Sequence, residues 1–271
     1  MFPEPTAIFA LCTLGIAAGF AAGLLGIGGG MILVPFITAI LEQRGIAPDL
    51  AVKQAIATSM ATIVFTSMSS VRAHHKRGAV RWQIVAGLAP GIVIGAAASS
   101  LGAFAFFKGT TLALIFSCFV FFSSARMFMS AAPPPSRHLP GTVGLLIAGA
   151  IIGFLSGMVG AGGGFISVPF LVWCNVPIHM AVATSAGLGF PIALSNGLGY
   201  IVGGWHAPDL PPHSLGYVWL PALVCIAGCS VLTAPLGARA AHALPVAKLK
   251  RIFAVLLLLL GGYMLLKGLG Y

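Results

Sequence analysis

Acidic residues are nearly missing from this chain of 271 residues: Glu4, Glu42, Asp49 and Asp209 are all it has. Each falls in the N-terminal tail or between apolar blocks. Carriers coupled to protons or sodium commonly hold a carboxylate inside the membrane, so this scarcity argues against cation transport and carboxylate-coupled exchange. Cys-x-x-Cys is absent as well. The five cysteines (Cys12, Cys118, Cys174, Cys225, Cys229) lie in or beside apolar segments, which argues against a thiol–disulfide relay. Cys225 and Cys229, one helical turn apart, could share a metal, but their setting suits buried cysteine acting as a small hydrophobe. There is no His-Glu-x-x-His and no paired in-span histidine for haem. The expectation is a protein that is not an enzyme and carries no metal or other cofactor. No basic region precedes the first apolar run, so no cleaved signal peptide is expected.

What the chain has instead is apolar length. It is 59% hydrophobic and 7% charged, with a mean hydropathy of +1.05; a soluble domain carries roughly 25% charged residues. Eight apolar blocks stand at about 7–41, 50–71, 82–107, 110–130, 141–174, 178–204, 215–238 and 252–270. One crossing needs about 20 residues, so an all-α polytopic membrane protein is expected. The net charge of +10 sits in short loops between the blocks, where basic residues orient a chain in the bilayer. Lipid is therefore the expected partner, and nucleic acid is not.

The first and fifth blocks are too long for one straight span, and both are broken by the same glycines. Leu25-Gly26-Ile27-Gly28-Gly29-Gly30 returns as Val159-Gly160-Ala161-Gly162-Gly163-Gly164. At a constant offset of 134, residues 15–36 and 149–170 agree at 12 of 22 positions. Further matches join Ala57-Thr58-Ser59 to Ala183-Thr184-Ser185, Pro90 to Pro221, and Phe116 and Met127 to Phe253 and Met264. The expected organisation is a repeat over residues 1–130, a Pro-rich inner linker over 131–140, and a second repeat over 141–271.

Charge settles how each block folds. With every block counted as one crossing, seven basic residues fall on each side of the membrane. If blocks one and five double back at their glycines, Arg72, Lys76, Arg77, Arg81, Arg126, Arg137, Arg239, Lys248, Lys250 and Arg251 lie inside. Arg44, Lys53, Lys108 and Lys267 remain outside, and ten against four obeys the positive-inside tendency. Each repeat is then a glycine-broken helical hairpin followed by three transmembrane helices. Five passes per repeat make the repeats inverted. Both termini are expected outside, in the periplasm of a cell whose inner membrane holds the protein.

A glycine break copied in both halves is the best sequence pointer to a transport site. Half-helices starting after Gly28-Gly29-Gly30 and Gly162-Gly163-Gly164 expose backbone N–H groups and a positive dipole end, which favour an anion. Hydroxyls add donors without formal charge, so Thr58, Ser59, Thr184 and Ser185 join the candidate site, with Ser195 and Asn196. Close packing is the alternative for the glycines, and bonding to a backbone carbonyl the alternative for the hydroxyls. Among the histidines, His75 and His179 are the expected places for proton sensitivity.

These residues resemble the sulfite exporter TauE/SafE family of membrane permeases. The resemblance is carried by the two Gly-x-Gly-Gly-Gly stretches with Val34-Pro35 and Val168-Pro169, the two Ala-Thr-Ser triplets, and the segment from Arg72 through His74-His75 to Trp82. The last differs from the family's usual loop in having Arg81 where an aspartate is common. The resemblance implies outward transport of sulfite, a short organosulfonate or a related sulfur oxyanion, placed in a bacterial plasma membrane. The residues alone imply a small anion moved by alternating access at a midplane site. The same fold carrying a carboxylate or a metal complex, a non-transport assembly subunit, and a homodimer joined through glycine faces stand as alternatives.

Overall fold

The computed structural model describes residues 5–26, 28–129, 138–243 and 246–270. Among them ten helices form two sets of five. The first set is α1 (Pro5–Leu25), α2 (Gly30–Gln43), α3 (Pro48–His75), α4 and α5 (Gly109–Met129). α4 begins as Trp82–Ala97, passes through a π-helical stretch at Ala98–Ala103, and ends at Phe106. The second set is α6 (Thr142–Val159), α7 (Gly164–Trp173), α8 (Ile178–Gly203), α9 (Leu220–Ala243) and α10 (Val246–Gly268). Seven helices are long and apolar enough to cross a membrane among the described residues, while α2 and α7 are shorter apolar helices. The chain is a multi-pass membrane protein of all-α class. A small departure precedes α9: Ser214–Leu215 and Val218–Trp219 form an antiparallel hairpin, β1 and β2, inside a block that reads as one apolar run. The expected linker at 131–140 lies mostly outside the described residues.

Helix directions follow from which residues touch. Methyl groups placed on Gly15, Gly19 and Gly23 of α1 would meet Ile226, Ser230 and Ala234 of α9 in that order, so the two helices are parallel. α3 runs the same way: Thr58, Thr66 and Arg77 bond Trp219, Ser230 and Ala238. With α1 and α3 parallel, α2 between them carries the chain back, and block one is a hairpin. The second half repeats this. Gly149 and Gly153 of α6 lie on Leu88 and Ile92 of α4, and the carbonyls of Gly153 and Gly157 bond Asn196 and Tyr200 of α8. α4, α6 and α8 are therefore parallel to one another. They run against α3, because Gly187 and Gly189 of α8 pack on Val71 and Ser67 in reversed order.

Each half lends its first helix to the other: α1 packs on α9, and α6 on α4. Glycines on one helix face permit the close approach of these pairs. Contact register also corrects one sequence match. Arg81 and Trp219 make corresponding bonds, an offset of 138, which places Pro90 opposite Gly228 rather than Pro221. Without structure, two prolines in apolar helices align on identity alone.

α3 carries its own end signals. Pro48 sits at the first turn, where its missing N–H is harmless. Asp49 follows it, and Arg72, His74 and His75 occupy the last turn, each sign facing the favourable end of the helix dipole.

Candidate functional site

The two glycine breaks meet beside the midpoints of α3 and α8. A methyl on Gly28 would lie 3.0 Å from the Gly162 Cα, and one on Gly30 would run into the Gly160 carbonyl. The residues capping α2 and α7 are Gly29 and Gly163, with φ of 76° and 77°. That left-handed conformation is one side chains resist and glycine adopts freely.

A helix start leaves its first N–H groups unsatisfied, and one buried without partners marks a ligand or a missing cap. Neither α2 nor α7 has a side-chain cap. Among the described residues, the amides of Gly28 and Gly29 have no backbone acceptor. The same holds for Gly162, Gly163, Gly164 and Phe165. All but Gly28 and Phe165 are buried. Two helix starts, with their donors and positive dipole ends, thus converge in the buried interior. Of the acidic residues, Glu42, Asp49 and Asp209 lie far along the chain from both breaks. Glu42 pairs with Lys267 at 2.9 Å, and Asp49 caps the Thr110 amide at 2.9 Å.

The matched hydroxyls hold this meeting together. Ser59 donates to the Gly160 carbonyl at 3.0 Å or to Ile56 at 2.8 Å, and Ser185 donates to the Gly26 carbonyl at 3.0 Å and shares a 2.7 Å contact with Ser167. Thr58 accepts the Trp219 amide at 3.0 Å, and Thr184 accepts the Arg81 amide at 3.1 Å. Every one of these bonds joins one half to the other, except those to Ile56 and Ser167. A third pair lies within each half: His74 Nε2 approaches the Gly23 carbonyl at 3.1 Å, and the Tyr200 hydroxyl donates to Gly157. A carbonyl only accepts, so His74 Nε2 carries the proton. Position 74 plus the 126 offset is 200, so the same carbonyl is tied from the same place in both halves.

A narrow cleft opens at the first break. Ala22, Gly26 and Gly28 form one wall, Ser67 and Ser70 of α3 the second, and Ala186 and Gly189 of α8 the third. The Ser70 hydroxyl is buried and has no hydrogen-bond partner. Ser70 belongs to a hydroxyl-rich stretch of α3 with Thr62, Thr66, Ser67 and Ser69, and the sequence does not set it apart from those neighbours. Asn196 is fully buried beside the second break, one turn of α8 before Tyr200, while Ser195 is half-buried on another face. His75 and His179 lie exposed at the end of α3 and the start of α8, away from both breaks; His75 Nδ1 accepts the Trp82 indole N–H at 3.0 Å. Among the described residues no three His, Cys, Asp or Glu gather in a way that could hold a metal.

Residues 11–264 match the sulfite exporter TauE/SafE family. A "probable membrane transporter protein" of Haemophilus influenzae is 38% identical, covering 95% of this chain and 98% of its own. Similarly described proteins of Methanocaldococcus jannaschii and Bacillus subtilis (YunE) are each 28% identical, over 94% and 95% of this chain and 94% and 97% of their own. No solved structure matches. The chain belongs to the sulfite exporter TauE/SafE family.

Proposed function

We propose that this membrane transporter carries a small oxyanion, sulfite or a short organosulfonate, outward by alternating access at the meeting of its two glycine breaks. The observation that carries this reading is the pair of buried, uncapped helix starts at Gly30 and Gly164. An oxyanion accepts hydrogen bonds from several directions, and these starts offer amide donors without a competing carboxylate. In this reading the glycine amides and the Ser70 hydroxyl face the anion. Thr58, Ser59, Thr184 and Ser185 hold the two breaks in register, while Asn196, whose N–H groups are taken by the Ile192 and Gly153 carbonyls, and Ser195, on another face of α8, stay out of the anion's contacts in this reading. The choice of sulfur rests on the family.

The helix directions support reading the halves, 1–130 and 141–271, as inverted repeats, since the first helix of each runs opposite to the other. A rocking of one set against the other must then break cross-half bonds on one side while keeping those on the other. With the positive cluster from Arg72 to Arg81 facing the cytoplasm, both termini lie in the periplasm and the bilayer is the inner membrane.

A thermal-shift screen tests the site on detergent-purified protein, with sulfite, thiosulfate, sulfate, sulfoacetate, taurine, acetate and chloride. A ligand that prefers the native state raises its melting point by mass action, and selective stabilisation by one sulfur oxyanion is expected. Gly189→Ala should abolish it: the added methyl enters the cleft 3.1 Å from Ser67 Cβ, and alanine strengthens the helix by about 1 kcal/mol. No shift with any anion at millimolar level and several pH values would transfer the reading to another solute or to an assembly subunit.

A further inference from the structure

Three buried side-chain oxygens beside the second break have no hydrogen-bond partner: Ser99 Oγ, Ser156 Oγ and Asn196 Oδ1. Their residues are 0%, 1% and 0% exposed. The orientation of the Asn196 amide is fixed. Its Nδ2 donates to the carbonyls of Ile192, at 2.9 Å, and Gly153, at 3.4 Å, and a carbonyl cannot donate in return. Oδ1, which can only accept, must therefore face the other way.

Two of the oxygens meet at Gly157, and the third belongs to the residue before it in α6. A methyl built on Gly157 would run into Asn196 Oδ1 and Ser99 Oγ together. One built on Gly163 would lie 3.0 Å from Ser156 Oγ and against Ile192, the residue whose carbonyl holds Asn196. All three thus surround the last turn of α6 and its exit into the break. Ser99 reaches this point from the π-helical stretch of α4, a distortion that often marks a functional site. The first break has fewer oxygens at the corresponding positions. Offsets of 134, 126 and 138 set Ala22 against Ser156, Ser70 against Asn196, and Gly237 against Ser99. Nothing in the fold requires the extra polarity, because the first half forms the same hairpin without it.

The chemistry selects the occupant. An acceptor-only amide oxygen repels an anion and attracts a cation or a donor. The C-terminal end of α6 adds negative dipole character, and half-helix C-termini coordinate sodium in transporters with broken helices. A divalent ion requires carboxylates for tight binding, and none is here. We propose that Ser99, Ser156 and Asn196 form a site for a monovalent cation of the sodium class, made of neutral oxygens. On the anion-carrier reading above, this cation would travel with the anion or be exchanged against it; the site itself does not depend on that reading.

The test is the melting temperature of the purified full chain in NaCl, KCl and choline chloride at constant ionic strength, with 22Na+ binding on the same preparation. A saturable rise specific to Na+ is expected. Ser99→Ala and Ser156→Ala should each raise the half-maximal Na+ concentration by about tenfold, the equivalent of about 1.4 kcal/mol, while Ser123→Ala, which removes another buried unpartnered hydroxyl on α5, leaves it unchanged. Identical curves in the three salts with no saturable 22Na+ binding would overturn the proposal, leaving the oxygens to ordered water. A Na+ response unaltered in both variants would overturn the assignment to these residues, and if neither variant folds the wild-type 22Na+ isotherm still decides. Sulfite titrations in choline and in Na+ separate the two readings. An anion shift with no Na+ effect sinks only the cation site, and Na+ binding with no anion shift sinks only the anion reading.

Discussion

Replacing Ser70 by alanine should move stability and affinity in opposite directions. The Ser70 hydroxyl is 2% exposed, lines the cleft at the first break, and lacks a partner. A buried donor left unsatisfied costs about 1–3 kcal/mol. Removing it relieves that cost, and because a hydroxyl is small, little packing is lost. The ligand-free protein should therefore gain up to about 1 kcal/mol. A hydrogen bond to a charged group is worth about 1.5–3 kcal/mol, so sulfite binding should weaken by roughly 10- to 150-fold. Scanning fluorimetry without ligand reads the first effect, and a sulfite titration by calorimetry the second. A structural serine would show the reverse: lower stability and unchanged affinity. That result would refute the placing of Ser70 against the anion.

The cross-half bonds give a graded prediction. Thr58→Val keeps shape but strands the buried Trp219 amide and should lower stability by about 1–3 kcal/mol. Thr184→Val strands the amide of exposed Arg81, which water can reach, and should cost under about 1 kcal/mol. Having no shared partner, the two should add in the double variant, as denaturant unfolding would show. Gly30→Ala drives a methyl into the Gly160 carbonyl, a backbone atom that cannot yield, so size-exclusion chromatography should recover little folded protein. For the same reason, a bulky residue at Gly29, whose methyl position lies 2.6 Å from the Ala18 carbonyl, would report folding and not binding.

The helical hairpins and the meeting of the breaks were legible because a repeated glycine string inside an apolar block leaves few other arrangements. The Thr-Ser pairs were legible as matched residues but not in their partners. Which carbonyl Ser59 reaches is decided by how the halves cross, and Gly160 is about a hundred residues away. Ser70 was visible only as one of several hydroxyls in α3, and Ser99 and Ser156 were not legible, since a serine in a membrane helix most often bonds its own backbone. These three do not, which only the packed structure shows. The π-helical stretch at Ala98–Ala103 had no sequence signal either.

The two halves share a fold but not a lining. Ala186 and Gly189 of α8 correspond at the 126 offset to Met60 and Ile63 of α3. Ile63 fills the space against Gly28 and Gly30, with its methyls about 3 Å from where side chains there would begin. Ala186 and Gly189 leave the matching space open, so the cleft forms at the first break. Unpartnered oxygens accumulate instead at the second. Two equal anion sites so close would oppose each other: at an effective dielectric of about 20, like charges about 10 Å apart repel by about 1.7 kcal/mol. A donor-lined cleft beside a cluster of acceptor oxygens turns that same term into attraction. On the two proposals above, divergence of a repeated hairpin into one anion-facing and one cation-facing version would let each ligand favour the other with neutral groups at both breaks.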